Sequence, residues 1–152
     1  MIIYCDIDNT IANLQHRLHF LDDKNYDKFY AAENIEEDGD MEFGRYLLES
    51  LSRGRWDDVY FVTGRPERTR PATRRWLIRH GYPDRHLLMR KDNDWRPAAQ
   101  VKVDLIKMTD VGEKAIFVDD DPRNVRAIEE AFGHIHGIIS GTGRLTELTK
   151  EV

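Results

Sequence analysis

Met1-Ile-Ile-Tyr-Cys-Asp-Ile-Asp-Asn-Thr10 is the stretch that decides the fold. Ile2 to Cys5 is an apolar run rich in strand formers, the composition of a strand covered on both faces. It ends in two carboxylates, Asp6 and Asp8. A buried strand has no use for two anions unless they sit where it emerges, and in open parallel sheets that is where ligands bind. An Asx-turn that simply ends the strand is the ordinary alternative. The pair alone does not separate the two.

Three later stretches bear on the choice. Val59-Tyr-Phe-Val62 is a second apolar run, and it leads into Thr63-Gly64-Arg65. Lys102 lies near the start of a helical pattern. Ala115-Ile-Phe-Val118 is a third run, and it leads into Asp119-Asp120-Asp121. In order and strand context this set resembles the haloacid dehalogenase phosphohydrolase superfamily. Its motifs are a strand ending Asp-x-Asp-x-Thr, a strand ending Thr or Ser, an isolated Lys, and a strand ending in an acidic pair.

The chain has 152 residues, enough for one domain with a proper core. Hydrophobic content of 40% with 34% charged residues, and no long apolar run, fits a globular chain and not a membrane span. No secretory leader is evident, so a cytoplasmic location is expected. The single Cys5 excludes an internal disulfide and a cysteine-rich zinc site. The net charge of −5 is unevenly spread. Leu21 to Asp58 carries net −7 and Arg65 to Lys107 net +7. Solvated helix faces account for most of this, and a positive flank that draws in phosphate is the functional alternative.

Alternation of apolar runs with helical periodicity predicts an α/β fold: a three-layer, Rossmann-like parallel sheet of about five strands, helices on both faces. Residues 1–152 read as one domain, with residues 11–40 as a small cap insert after the first strand. Within that insert Asn25 to Tyr30 suits a short helix and Glu33 to Asp40 a loop. Asp40 is expected to cap a helix burying Phe43, Tyr46, Leu47 and Leu51, stopped at Gly54. Pro71 opens a helix to His80 with Trp76 and Leu77 inward. His86–Met89 is a short strand. A helix over 98–109 is expected to bury Val101, Leu105 and Met108. Asp121 and Pro122 suit the cap and first residue of a helix closed by Gly133. Ile135–Ile139 is a last strand, and Thr142 onward a short helical tail. The first strand must lie between the strands ending at Thr63 and Asp119, since only that order unites the motifs.

Converging carboxylates need a cation or protons: two unit charges ~4 Å apart repel by ~4 kcal/mol at an effective dielectric near 20. The motif ligands are hard oxygens, which points to Mg²⁺. The resemblance implies roles. Asp6 is the nucleophile and Asp8 the general acid and base. Thr63 and Lys102 bind and neutralise the phosphoryl group. Asp6, Asp8, Asp119 and Asp120 form the metal site. The short cap implies a comparatively open site.

A narrower resemblance lies in Leu87-Leu-Met-Arg-Lys-Asp-Asn-Asp-Trp-Arg96 followed by Val101-Lys102. It is similar to the 3′-phosphatase domain of bacteriophage polynucleotide kinase-phosphatases. That resemblance places Arg17, Gly64, Arg65 and Arg96 at the substrate, and implies a phosphorylated nucleic-acid end as substrate. Ala98 stands where that group has an acidic residue. No kinase phosphate-binding motif occurs, which leaves either a stand-alone phosphatase or one domain of a larger protein, with a kinase or ligase partner on a separate chain or adjoining segment. Trp95, Tyr26 and Tyr30 are candidates for base stacking, with ordinary packing as the alternative. A nucleotidase is the competing enzyme reading. A receiver-like or nucleic-acid-end-binding module is the non-enzyme one.

Overall fold

The computed structural model describes residues 1–140. In chain order the strands are β1 (Ile2–Cys5), β2 (Ala12–Asn13), β3 (Gly39–Asp40), β4 (Val59–Pro66), β5 (Leu87–Arg90), β6 (Ala115–Asp119) and β7 (Ile135–Ile139). The helices are α1 (His19–Asp22), α2 (Tyr26–Phe29), α3 (Ala32–Ile35), α4 (Glu42–Ser52), α5 (Arg70–Arg79), α6 (Ala98–Lys107) and α7 (Pro122–Ala131). The expected tail from Thr142 lies outside the described residues.

Five strands form one parallel sheet in the order β5-β4-β1-β6-β7. β1 is central: Cys5 pairs with Phe61 of β4 on one side and with Val118 of β6 on the other. Alternation along β1 sends Ile3 and Cys5 to one face and Tyr4 to the other. Ile3 and Cys5 join Leu48, Phe61, Trp76 and Leu77 in one core layer. Tyr4 joins Val62, Val101, Leu105, Phe117, Val125 and Ile128 in the second. So α4 and α5 cover one face of the sheet, and α6 and α7 cover the other.

Residues 11–40 leave this frame and return to it. The excursion is closed at its base by the antiparallel pair β2–β3, Ala12 opposite Asp40. Asn25 caps α2, its side chain accepting from the Lys28 amide at 3.2 Å. The expected loop over 33–40 instead holds α3 and β3.

The helix after Asp40 is rotated from the expected register. Phe43 and Tyr46 are exposed and Gly44, Leu48 and Ser52 are buried, while Leu47 and Leu51 pack half-buried against the core as expected. The cause is Gly44: a Cβ there would sit 1.7 Å from the Thr10 carbonyl oxygen, so the helix backbone rests directly on the loop after β1. That close approach fixes which side turns inward, and apolar spacing alone does not report it. Asp40 is not the cap, since Met41 occupies that position. Asp40 accepts instead from Arg45 at 3.1 Å and lies 3.0 Å from His80 Nδ1.

The remaining differences are small. Trp76 and Leu77 are buried as expected, but α6 turns Lys102 and Ile106 inward with Val101 and Leu105, leaving Met108 exposed. An inward lysine breaks the apolar pattern because its charge belongs to the site, not to the core. Asp121 caps α7 through the Arg123 amide at 2.9 Å, with Pro122 in the first turn. No helix among the described residues is long and apolar enough to cross a membrane.

Candidate active site

The loop after β1 is wound tightly. The Ile7 carbonyl accepts from the amides of Thr10, Ile11 and Ala12 at 3.2, 3.0 and 2.9 Å. Asn9 takes a left-handed conformation with φ 62°, which Asn tolerates better than most residues. This turn brings Thr10 back over the strand end, and its hydroxyl donates to Asp6 Oδ2 at 3.0 Å.

The other Asp6 oxygen belongs to Lys102. From the start of the second turn of α6 the ammonium donates to Asp6 Oδ1 at 2.7 Å and to Asp119 Oδ2 at 2.6 Å. Asn124, on α7, donates to the same Asp119 oxygen at 3.1 Å. Asp119 Oδ1 accepts from the Asp121 amide at 2.9 Å. Asp6, Lys102, Asp119 and Asp120 are all buried. Burial pulls the Lys102 ammonium down, but the Asp119 and Asp6 charges outweigh it and hold the group ionised far above neutrality. Burial pushes the Asp6 carboxyl well up, and the neighbouring Asp119 charge adds to this against the pull of Lys102.

One oxygen from each of Asp6, Asp119 and Asp120 lies within 4.8 Å of the others. Lys102 donates to two of these three carboxylates, and the all-oxygen donor set fits a small divalent cation such as Mg²⁺. The Asp8 carboxylate is not in this cluster. It turns to Arg65, accepting at Oδ1 from Nε at 2.9 Å and Nη2 at 2.6 Å. Burial pushes the Asp8 carboxyl up, but the Arg65 charge and hydrogen bonds, with Arg17 behind, hold it below the usual carboxylate range.

Arg17 and Arg65 are themselves buried, and both converge on Asp38. Arg17 donates to Asp38 Oδ1 and Oδ2 at 2.8 and 2.9 Å, and Arg65 to Oδ2 at 2.9 Å. His16 lies 2.8 Å from Asp38 Oδ1, and the Trp76 indole N–H donates to the Asp38 carbonyl at 2.7 Å. Nothing in the acidic run Glu33–Asp40 distinguishes Asp38 from its neighbours, so the sequence gives no sign of this anchor. Thr10 was visible within the Asp-x-Asp-x-Thr motif, and Asn124 follows the acidic cluster without a motif of its own.

Thr63 sits at the buried end of β4, its hydroxyl oxygen accepting from the Arg65 amide at 3.1 Å. Gly64 accepts at its carbonyl from Arg90 Nε at 2.8 Å. Arg96 is set apart from this group: it is bound to Asp94 at 2.8 Å and Asp104 at 2.6 Å on the surface. Arg17, Arg65 and Asp38 are buried beside Asp8, whose own side chain is 29% exposed. Much of the positive flank is paired locally, as in Arg70–Glu67, Arg74–Asp84 and Arg75–Glu36.

A parallel sheet with the order β5-β4-β1-β6-β7, carrying Asp6, Asp8, Thr63, Lys102 and Asp119 at adjoining strand and helix ends, defines a phosphatase of the haloacid dehalogenase superfamily. Within it, the chain belongs to the family described as the polynucleotide kinase PNKP phosphatase domain, whose pattern matches residues 1–130. That membership sets aside the receiver-like reading. No curated protein matches the chain.

Among solved structures, a chain of the Pnkp1/Rnl/Hen1 RNA repair complex is similar, with 21% identity and a TM-score of 0.68. The match covers 91% of this chain and 41% of that one, so this chain spans about two fifths of its length. A haloacid dehalogenase-like hydrolase from Streptococcus pneumoniae matches with 16% identity and a TM-score of 0.65, covering 98% of this chain and 89% of that one. The haloacid dehalogenase domain of the effector Lem4 from Legionella pneumophila matches with 16% identity and a TM-score of 0.55, over 99% and 92% of the two chains. At these identities the likeness is one of fold.

Proposed function

We propose that the protein is a Mg²⁺-dependent phosphatase that works through an aspartyl-phosphate and removes a 3′-phosphate from polynucleotide ends. The observation that carries this is the placement of Asp6, held between Lys102 and Thr10 beside the Asp119–Asp120 carboxylates. Family membership supports the phosphatase chemistry, and the Arg17–Arg65 pair supports an anionic substrate reaching the site past Asp8.

In this reading an Asp6 oxygen attacks phosphorus. The bond to the leaving oxygen breaks, and Asp8 supplies the proton that the leaving alkoxide takes up. Water then attacks phosphorus and returns its proton to Asp8, releasing phosphate and free Asp6. Lys102 neutralises charge near the reacting oxygens, and Thr63 donates its hydroxyl to a phosphoryl oxygen. The incoming phosphate competes with Asp8 for Arg65, which frees the Asp8 carboxyl to carry a proton. Asp6, Asp119, Asp120 and the Asp8 backbone carbonyl are the groups that would hold Mg²⁺, which supplies charge neutralisation on the phosphoryl group when bound.

Residues 11–40 serve as a small cap on a single domain, its β2–β3 base set beside the loop that carries Asp8. The kinase and ligase activities that accompany end repair would come from other polypeptide segments or chains. A substrate panel with Mg²⁺ tests the assignment: a 3′-phosphorylated oligonucleotide, the 5′-phosphorylated isomer, and 3′- and 5′-mononucleotides. The 3′-phosphorylated oligomer should be the best substrate. Faster turnover of mononucleotides at equal concentration would move the assignment to a nucleotidase.

A further inference from the structure

We infer that the cleft lined by Tyr26, Tyr30, Arg68, Arg90 and Trp95 is a nucleobase-stacking subsite that holds the unpaired end of a single strand beside the phosphate. The inference rests on the phosphatase reading above and extends it to the part of the substrate that does not react. The cleft has a volume of about 350 Å³, within the range of ligand clefts. Two of its rings are open to solvent, Tyr26 at 47% and Trp95 at 80%. Exposure of that degree excludes core packing as the reason for these rings. Among the described residues neither ring stacks on another aromatic ring, so each offers exposed ring surface to a planar ligand.

The cleft adjoins the strand end that carries Thr63, and Arg90 of its lining links the two. Arg90 donates to the Gly64 carbonyl, one residue from Thr63, and its Nη1 donates to the carbonyls of Asp94 at 3.0 Å and Arg96 at 2.6 Å. One guanidinium therefore fixes the loop that presents Trp95 relative to the strand end that presents Thr63. Pro66, next to Arg65, forms part of the same wall. Tyr30 reaches both sides: Arg68 lies over its ring at 5.3 Å, and burial together with the Asp8 charge pushes its phenol up.

The charge also suits a polyanion. Arg68, Arg90 and Arg96 stand against Asp92 and Asp94 in the lining, and Arg90 spends its hydrogen bonds on carbonyls rather than on a carboxylate. Flat faces with guanidiniums at their edges are how single strands are held without base-specific hydrogen bonds. A stacked duplex end would not offer its terminal base to two separate rings, so a single-stranded or frayed end is the ligand.

The test has a binding arm and a kinetic arm. In the first, tryptophan fluorescence is titrated with phosphate-free oligothymidylate. Of the three tryptophans Trp76 is buried, Trp56 is half-buried against Tyr82, and only Trp95 lines the cleft, so the quenching should disappear in Trp95→Ala. Quenching should saturate in wild type and weaken about tenfold in apparent affinity in Tyr26→Ala, which keeps the fluorophore. In the second, kcat/KM is compared on a 3′-phosphorylated oligothymidylate, on the same oligomer with abasic terminal residues, and on glycerol phosphate. Trp95→Ala should lower the first by tenfold or more, leave glycerol phosphate unchanged, and erase the difference between the first two. Trp95→Phe should restore it. Equal losses on all three substrates, or no loss on any, would overturn the subsite. Wild-type protein inert on every ester but still quenched by the oligomer would remove the phosphatase reading and keep the cleft.

Discussion

Arg17 Nε donates to Asp38 Oδ1 at 2.8 Å, and neither side chain reaches solvent. Asp38 lies in the insert and Arg17 near its start, so the contact closes the insert onto itself. Arg65 joins the same carboxylate from β4, which ties the insert to the sheet.

Removing Asp38 leaves two buried guanidiniums without their shared partner. Breaking one side of a buried ion pair typically costs about 3–5 kcal/mol. Asp38→Ala should lower stability by that order in urea unfolding, and Arg17→Lys, with Asp38 intact, should keep only part of the contact, since an ammonium cannot span both oxygens as the guanidinium does. Unfolding midpoints of Asp38→Ala and wild type within error of each other would remove Asp38 as the anchor.

Asp6→Asn should abolish turnover while the protein keeps its fold, because Lys102 retains Asp119 as a partner. Far-UV circular dichroism alongside phosphate release checks both halves. Asp8→Asn should lose most on poor leaving groups such as a sugar hydroxyl, and least on an activated aryl phosphate. Equal impairment on both would contradict the acid role.

The Asp8–Arg65 pair also sets a pH dependence. With its folded pKa held below the ordinary value near ~3.9, Asp8 contributes stability that is fully present above that value. The contribution is lost as pH falls through the lower, folded value. The stability gap between wild type and Asp8→Asn should therefore be constant from neutrality down to about pH 5 and close below about pH 4. A gap that widens on acidification would show the sign to be reversed.

Gly44→Ala places a methyl against the Thr10 carbonyl, with backbone on both sides of the contact. Overpacking of this kind costs ~1–3 kcal/mol. Because Thr10 also holds Asp6, kcat should fall along with the thermal midpoint. An unchanged kcat in a destabilised variant would separate the loop from the chemistry.

Chelation tests the cation. Activity should vanish in EDTA and return with Mg²⁺. Full activity in EDTA would take the cation out of the mechanism.

How much of this was legible follows from where each residue sits. Asp6, Asp8, Thr63, Lys102 and Asp119 lie at the ends of apolar runs or in a recognisable helical position, and periodicity locates those ends. The strand order followed from requiring the ends to meet. Asp38 was illegible because one acidic residue among several carries no mark of burial. Arg90 was hidden for a related reason: its partners are backbone carbonyls, which every residue possesses. The rotation of α4 depended on a glycine whose missing side chain leaves no apolar signal. Lys102 was marked by its place in the motif order, while the inward turn of its side of α6 was not legible from the apolar spacing.

Lys102 lies 96 residues beyond Asp6, and Arg65 lies 57 beyond Asp8. A chain emerging from the ribosome therefore holds its nucleophile long before its lysine, and Asp119 and Asn124 come later still. Pairings this distant form slowly, because loop closure precedes any contact that rewards it. Both edges of the central strand must be filled, by β4 and by β6, before the site is complete, so catalytic competence marks the assembly of the whole sheet centre. Recovery of turnover after dilution from denaturant thus reports the joint docking of β4, α6 and β6 on the central strand.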